Sequence, residues 1–285
     1  MTKKLLALYG LKWNPFAVEL PLEALFVTPK IELFCARVEQ SLVREGGFAL
    51  ITGDPGAGKS VALRLLAERL GRLPDLTVAA LTHPQSRLAD FYRELGDLFG
   101  VALQPHNRWA GFKTLRDRWL AHLEHTRLRP VLLIDEAQEM LPAVLSELRV
   151  LASTHFDSRP LLSVVLAGDS RLTELLRREE LLPLGSRLRI RLLLEYATRD
   201  ELAACLGHLL ATAGNAKLLT PELAQTLCDH AMGNYRVLTT MAAELLAAAA
   251  QRELPRLDEK LYLELFTPPR AASKPRRLAP AEARS

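Results

Sequence analysis

The stretch FALITGDPGAGKSVALRLLAERL, residues 48–70, carries the strongest structural signal in the chain. Its first four residues are apolar and have the length of a buried strand, and its second half has apolar residues at helical spacing. Between the two lies a glycine-rich turn with the pattern G-x-x-x-x-G-K-S, which runs from Gly53 to Ser60. A strand, a glycine-rich loop and a helix in this order predict a phosphate-binding P-loop.

The residue types of this loop suit a phosphorylated ligand. Glycines permit positive φ angles and let the backbone approach phosphates without an intervening Cβ. The amides from Gly56 to Ser60 then point inward at a helix N-terminus, whose dipole favours an anion. Lys59 supplies a mobile charge for the β- and γ-phosphates, and the Ser60 hydroxyl is a hard oxygen suited to Mg²⁺. The predicted nucleotide contacts are Gly53, Asp54, Pro55, Gly56, Ala57, Gly58, Lys59, Ser60 and Val61.

A second candidate site follows the apolar run at residues 130–134, PVLLI. A continuous apolar run bounded by proline and acids is typical of a central parallel strand. At the end of this strand Asp135 would face the P-loop and hold Mg²⁺, and Glu136 would orient or deprotonate the water that attacks the γ-phosphate. Acids also commonly decorate helix N-termini. The P-loop about 75 residues upstream favours the catalytic interpretation.

Two more apolar runs end or begin with polar residues. Residues 160–167 predict a buried strand, and Asp169 stands just after it. Asp169 either senses the γ-phosphate or caps the helix that follows, and the residue pattern leaves both roles open. Residues 188–194 predict a last strand, which is entered through Gly185-Ser186-Arg187.

These signals predict an α/β P-loop NTPase fold, with a parallel sheet flanked by helices, over residues 29–194. Residues 195–266 have helical patterns that predict a separate C-terminal helical lid. Its predicted helices are 199–213, 220–231, 235–250 and 258–266. Residues 1–28, with aromatic side chains among prolines, predict an extended N-terminal arm that packs on its own body or on a neighbour. Residues 267–285, rich in Pro, Ala, Arg and Ser, predict a disordered basic tail.

Composition excludes several classes of protein. The chain has 285 residues, 49% hydrophobic and 25% charged, as expected for a globular protein with a real core. No apolar run has the length of a bilayer span, and no secretory signal is recognisable, so we expect a cytoplasmic protein that does not contact membranes. Three cysteines within apolar helical patterns predict reduced core thiols.

The formal net charge of +4 belongs to the tail. From Arg270 onward there are five basic residues and one acidic residue, so residues 1–269 are formally neutral. Charge alone therefore does not predict that the folded body binds nucleic acid.

The order of these motifs resembles that of the AAA+ ATPases over residues 29–266. That order is a P-loop, an Asp-Glu strand, a polar-ended strand, Ser-Arg before a last strand, and a helical lid with Gly-Asn-x-Arg. Several segments look more narrowly like the ExeA, TniB and TnsC group, to which MuB-like transposition regulators are related in role. These segments are YGLKWNPF, GGFALITGDPGAGKS, LLIDEAQEM, LAGD and GNYRVL.

The resemblance implies that ATP and Mg²⁺ are the cofactors and that the chain hydrolyses ATP. Lys59 and Ser60 match the residues that bind nucleotide and Mg²⁺. Asp135 matches the metal ligand, and Glu136 matches the hydrolytic glutamate.

The resemblance also implies three further roles. Arg187 is the implied arginine finger, which reaches the γ-phosphate of a neighbouring subunit, and Arg189 is the alternative. Arg236 matches the lid arginine called sensor 2, which acts on nucleotide bound to its own subunit. Asp169 stands at the sensor 1 position, where Asn or Thr is more usual. A finger supplied by a neighbour completes the site only between two subunits, which predicts a homo-oligomer, either a ring or a helical filament.

Resemblance to this group implies a transposon-encoded ATPase that polymerises on double-stranded DNA, regulates DNA transposition and recombination, selects a target and recruits a transposase. Such an assembly needs basic or hydroxyl side chains that follow DNA phosphates. Candidates are Arg108, Lys113, Arg116, Arg149, Thr154 and His155.

Two alternatives stay open. One is an ExeA-like secretion ATPase; those proteins continue into a membrane span and an envelope domain, whereas this sequence ends at Ser285 with neither, so we expect the transposition role. The other is a nucleotide-gated scaffold that binds protein partners alone, although Glu136 favours turnover.

Overall fold

The computed structural model describes residues 2–103 and 107–266. The tail that the sequence predicts to be disordered, residues 267–285, lies outside the described residues. Within the described ranges, no helix combines the length and the apolar character that crossing a bilayer requires.

A five-stranded parallel sheet forms the centre of the α/β part, as predicted. The strands are β1 (Gly47–Gly53), β2 (Val78–Leu81), β3 (Val131–Ile134), β4 (Ser163–Gly168) and β5 (Leu188–Leu194). They lie in the order β2-β3-β4-β1-β5. Because all five run in the same direction, the carboxyl ends of β1, β3 and β4 meet at one edge of the sheet. That edge carries the P-loop, Asp135 and Asp169.

Helices cover both faces of the sheet and form the lid. Their bounds are α1 (Thr2–Tyr9), α2 (Pro29–Arg37), α3 (Lys59–Gly71), α4 (Leu88–Phe99), α5 (Arg108–Thr126), α6 (Pro142–Leu151), α7 (Ser170–Leu176), α8 (Arg199–Ala213), α9 (Pro221–Ala231), α10 (Tyr235–Gln251) and α11 (Glu259–Phe266). A π-helical stretch, Val38–Leu42, and the turn Val43–Glu45 continue α2 as far as Gly46.

Side chains of each central strand alternate between two cores. Phe48 and Leu50 of β1 pack with the helices α4 to α7, whereas Ala49 and Ile51 pack with α2 and α3. A strand buried on both faces has to be apolar at consecutive positions. This is why the segments 48–51 and 131–134 are uninterrupted apolar runs.

The lid helices α8 to α11 share a third core. Thr198 begins α8 with a capping box that includes Glu201, and Thr220 begins α9 with Pro221 at its first turn. These caps satisfy backbone N–H groups that a helix leaves unpaired at its start. The boundary near residue 195 stays an interpretation from the sequence.

The N-terminal arm differs from the prediction. Residues 2–9 form the helix α1 instead of an extended chain, and Tyr9, Leu11 and Phe16 are buried in the core of the lid. The Lys12 N–H donates to the Ala213 carbonyl at 2.8 Å, and the Asn215 side chain donates to the Tyr9 carbonyl at 2.9 Å. The arm therefore packs on its own lid.

Pairing sets where two strands begin, and β4 begins three residues later than the sequence predicts. β2 begins at Val78 because its partner β3 begins only after Pro130, where Val131 pairs with Val78. The segment ahead of β4 instead forms a small hairpin, in which Ser153–Thr154 pairs antiparallel with Arg159–Pro160. Ladder pairing of β4 with β1 therefore starts at Ser163.

The three cysteines are buried free thiols, as the sequence predicts. Burial raises the pKa of Cys35 to about 11 and that of Cys205 to about 12. Both therefore stay protonated and unreactive at neutral pH.

We expect Trp119→Ala to lower the free energy of unfolding by about 3–5 kcal/mol, measured by urea titration. Trp119 is 1% exposed and meets Phe99 edge-on at a centroid distance of 5.2 Å. Trp109→Ala, on the same helix, is the matched control: Trp109 is 74% exposed and only stacks on Phe112, so the loss should be about 1 kcal/mol or less. Equal losses for the two variants would contradict the assignment of the α5 face that packs into the core.

Candidate nucleotide-binding site

The P-loop joins β1 to α3 and has the backbone that its glycines allow. Gly56 and Gly58 have φ angles of 84° and 102°, and Gly58 directly precedes α3. Lys59 is 7% exposed, and its Nζ donates to the carbonyls of Gly53 at 2.8 Å and Asp54 at 3.2 Å. The hydrogen-bond partners of this buried ammonium are neutral carbonyls, so an anion beside the loop would stabilise its charge further.

Ser60 and Asp135 form the arrangement that a magnesium ion would use. The Ser60 hydroxyl donates to Asp135 Oδ2 at 3.0 Å, and Asp135 Oδ1 accepts from the Glu136 N–H at 2.9 Å. Within the described ranges, no three His, Cys, Asp or Glu residues gather into a metal site. Mg²⁺ bound with a nucleotide needs only one or two protein oxygens, since phosphates and water complete its shell. The two hard oxygens at this edge fit that donor set.

Glu136 follows Asp135 in an unusual conformation. Its backbone has φ 50° and ψ 39°, in the left-handed region that a non-glycine residue rarely adopts. Its carboxylate accepts a hydrogen bond from Gln138, and its side chain lines the cavity beside the P-loop. A strained position at a site of this kind is consistent with a functional constraint.

Asp169 caps a helix in this structure. Its side chain accepts from the Arg171 N–H at 2.9 Å at the start of α7 and also binds the Arg171 guanidinium. Partial burial alone would raise the pKa of Asp169, but the hydrogen bonds from Arg171 outweigh it and leave the pKa below its usual value. The carboxylate is therefore ionised at neutral pH. A γ-phosphate role for Asp169 stays a prediction.

A cavity of about 520 Å³ opens beside the P-loop, within the size range of ligand sites. Its lining includes three segments that are distant in sequence. Pro55 to Val61 form one wall, and Tyr235, Arg236 and Thr239 of the lid form another. The N-terminal arm closes the third side with Val18 and Phe26. The position of Arg236 beside the P-loop agrees with its predicted role. The sequence analysis gave the arm no role at the site, although the aromatic residues between prolines had indicated that the arm packs against something.

Asn234 connects the lid to the P-loop, and the sequence did not single it out. Its Nδ2 donates to the Pro55 carbonyl at 3.0 Å, while its Oδ1 accepts from the N–H groups of Arg236 and Val237 and so caps α10. A Cβ at Gly56 would lie 2.1 Å from Asn234 Oδ1, so this loop position has to be glycine. The Gly-Asn-x-Arg motif, in which Asn234 is the second residue, could have identified this contact.

The two candidate finger arginines lie away from the cavity. Arg187 pairs with Asp157 and donates to the Pro183 carbonyl at 2.9 Å. Arg189 pairs with Glu45 at 2.7 Å. Both stand at the amino end of β5, and since β5 runs parallel to β1, they lie at the sheet edge opposite the P-loop. Neither reaches the nucleotide site of its own subunit.

Two of the candidate DNA-contacting arginines already take part in the fold. Arg108 binds the buried Glu147 through two nitrogens, one of them at 3.1 Å. Arg116 donates to the Ser153 carbonyl at 2.6 Å and lies 4.8 Å from the Phe112 ring centroid. Lys113, by contrast, is exposed on α5.

Comparisons with known proteins agree with this geometry. Residues 43–176 match the sequence family described as AAA domain. General secretion pathway protein A of Aeromonas hydrophila is 31% identical over 249 residues, which cover 86% of this chain and 44% of that protein. The chain thus spans less than half the length of that relative.

Solved structures are similar in fold. Cdc6p of Pyrobaculum aerophilum has a TM-score of 0.68 at 16% identity, covering 85% of this chain and 67% of that chain. The Aeropyrum pernix ORC1 protein in complex with DNA has a TM-score of 0.63 at 19% identity, covering 86% of this chain and 66% of that chain. The RuvB branch migration motor of Thermotoga maritima has a TM-score of 0.57 at 16% identity, covering 84% of this chain and 68% of that chain. Residues 43–176 thus resemble an AAA domain, and the chain has the α/β P-loop NTPase fold that these similar structures share.

Proposed function

We propose that this ATPase works in the cytoplasm, assembles with ATP into a homo-oligomer on double-stranded DNA, and regulates transposition by selecting a target and recruiting a transposase. The single observation that carries the assembly step is that the nucleotide cavity and Arg187 occupy opposite edges of one sheet. A second subunit placed head to tail would bring its Arg187 to the first subunit's cavity. The proposal for DNA and transposase rests on the motif resemblance.

Within one subunit, the residues at the cavity would divide ATP binding and hydrolysis between them. Lys59 and the amides of the P-loop bind the β- and γ-phosphates, and Arg236 contacts the nucleotide from the lid. Glu136 orients the attacking water and takes its proton. Ser60 and Asp135 would hold Mg²⁺, which would neutralise the negative charge that develops on the phosphates.

Between subunits, the triphosphate is the link. Arg187 of a neighbour would donate to the γ-phosphate, so the interface is strongest before hydrolysis and weaker once that phosphate has left. In the free subunit Arg187 is satisfied by Asp157, an exposed pair that contributes little stability and can be exchanged at small cost. ATP hydrolysis would therefore time disassembly.

Binding to DNA would depend on the polymer. Residues 1–269 are formally neutral, so each subunit is expected to bind phosphates weakly and in a salt-sensitive manner. Many weak sites on one filament act together, because each bound subunit raises the effective concentration of the next. Two proteins of similar fold were solved in complex with DNA. This supports testing DNA as a ligand before protein partners.

A second candidate function is assembly of a secretion pathway. The observation in its favour is the 31% identity to General secretion pathway protein A. The same site would then act as the same nucleotide switch, with protein partners in place of DNA. A third candidate function is a nucleotide-gated scaffold that binds protein partners and has no role in secretion.

We expect filaments or rings on plasmid DNA with ATP or ATPγS, and none with ADP, in electron micrographs. The physical reason is that only a triphosphate provides the charge that the neighbour's Arg187 binds. The control is Lys59→Ala, which should lose nucleotide binding and assembly together. An oligomer that forms equally well without DNA would favour the secretion or scaffold function, and a monomer under all conditions would refute the assembly step.

We also expect two inactive variants to restore ATP turnover when mixed. Lys59→Ala should not bind ATP, and Arg187→Ala should bind ATP without hydrolysing it. In an equimolar mixture, an Arg187→Ala subunit can receive the intact arginine of a Lys59→Ala neighbour. Each such contact completes one site, so phosphate release by the mixture should exceed the sum of the rates of the two variants alone.

Asp157→Ala is the matched control for this mixture. It breaks the same ion pair as Arg187→Ala but keeps the guanidinium, so its turnover should equal or exceed that of the wild type. Loss of turnover in Asp157→Ala would assign the effect to the fold. If Arg187→Ala alone hydrolyses ATP normally, the finger is not Arg187, and the mixture should be repeated with Arg189→Ala.

A further inference from the structure

We propose that Gln138 is a positioning residue for ATP hydrolysis, because it holds the Glu136 carboxylate and connects it to the end of β4. This inference rests on the proposed role of Glu136 as the hydrolytic glutamate. Gln138 lies in the 3₁₀ turn Ala137–Glu139, immediately after β3 and the Asp135-Glu136 pair.

The Gln138 amide bridges two strand ends. Its Nε2 donates to Glu136 Oε2, and its Oε1 accepts from the Asp169 N–H at 3.2 Å. The orientation of the amide is fixed by these partners: an ionised carboxylate only accepts hydrogen bonds, and a backbone N–H only donates. No other orientation of the amide satisfies both contacts.

The end of β4 leaves room for this bridge. A Cβ at Gly168 would lie 2.5 Å from Gln138 Oε1 and 2.8 Å from Leu172 Cδ2. Only glycine at this position lets the amide reach the Asp169 N–H. The turn itself is anchored, since Ala137 is fully buried and Met140 is 3% exposed.

The bridge gives Glu136 a fixed direction that its own chain does not provide. Its side chain is exposed, and a free glutamate has several accessible rotamers. A hydrogen bond from an anchored amide restricts those rotamers and keeps the carboxylate over the cavity. Because the other end of the amide is bound at Asp169, a shift at the end of β4 would move Glu136 as well. Gln138 thus couples the polar end of β4 to the water-activating group.

A positioning role predicts a loss in turnover and not in nucleotide binding. Gln138→Leu removes both hydrogen bonds and should lower kcat about 10- to 100-fold, the usual range for residues that orient a reacting group. The dissociation constant for ATP should change less than about twofold, because the amide does not contact the P-loop. Both are measured with and without double-stranded DNA.

Gln138→Glu separates the two contacts. It keeps an acceptor for the Asp169 N–H but places a carboxylate against Glu136. Turnover should be as low as that of Gln138→Leu, because the contact with the Asp169 N–H alone does not hold the Glu136 carboxylate. Turnover near the wild-type rate would show that the hydrogen bond to Glu136 is not needed.

Three comparisons make the test decisive. Glu139→Gln, in the same turn, should stay within about twofold of wild-type turnover, because its exposed pair with Arg171 contributes little. Glu136→Gln/Gln138→Leu should be no slower than Glu136→Gln alone, since the two act as a unit. If Glu136→Gln keeps its turnover, the proposed function fails; if only Gln138→Leu keeps its turnover, this inference alone is overturned.

Discussion

The hydrogen bond from Ser60 to Asp135 is the contact on which the site depends. It joins two residues that are 75 positions apart and follow strands that are not neighbours, since β4 lies between β1 and β3. The bond can form only because all three strands are parallel, so that their carboxyl ends share one edge. Parallel strands need crossover helices on the faces of the sheet, and those helices bury the side chains that keep the strands in register. The geometry of the site is thus a consequence of the sheet order, and a slip of one strand would separate its two oxygens.

The second constraint is closure of the cavity by parts of the chain that are distant in sequence. The arm is buried in the core of the lid, and Asn234 of the lid touches the P-loop. The arm therefore packs with the lid, and the lid contacts the P-loop through the Pro55 carbonyl. The amide of Gln138 makes a second contact of this kind, since it joins Glu136 after β3 to the Asp169 N–H after β4.

The sequence predicted those features of the fold that depend only on residues close together in the chain. The glycine turn at residues 53–58 and the continuous apolar strands follow from nearby residues, and the structure places them as expected. The caps at Thr198 and Thr220 are local in the same way. Contacts between distant segments could not be predicted in this way. The pairing of Arg187 with Asp157 depends on a hairpin at residues 153–160 that the sequence did not predict. The bridge through Gln138 depends on the side-by-side ends of β3 and β4, which only the sheet order reveals.

The opposite placement of cavity and arginine also limits how copies can associate. An interface that joins the carboxyl edge of one subunit to the amino edge of the next uses two different surfaces, and it is therefore heterologous. Such an interface repeats in one direction, so it produces a ring if the rotation closes and a filament if it does not. A two-fold dimer would place like edges together and leave both cavities without an arginine. If Arg187 acts as the finger, turnover and directional assembly are therefore the same structural event, and nucleotide controls both through one shared interface.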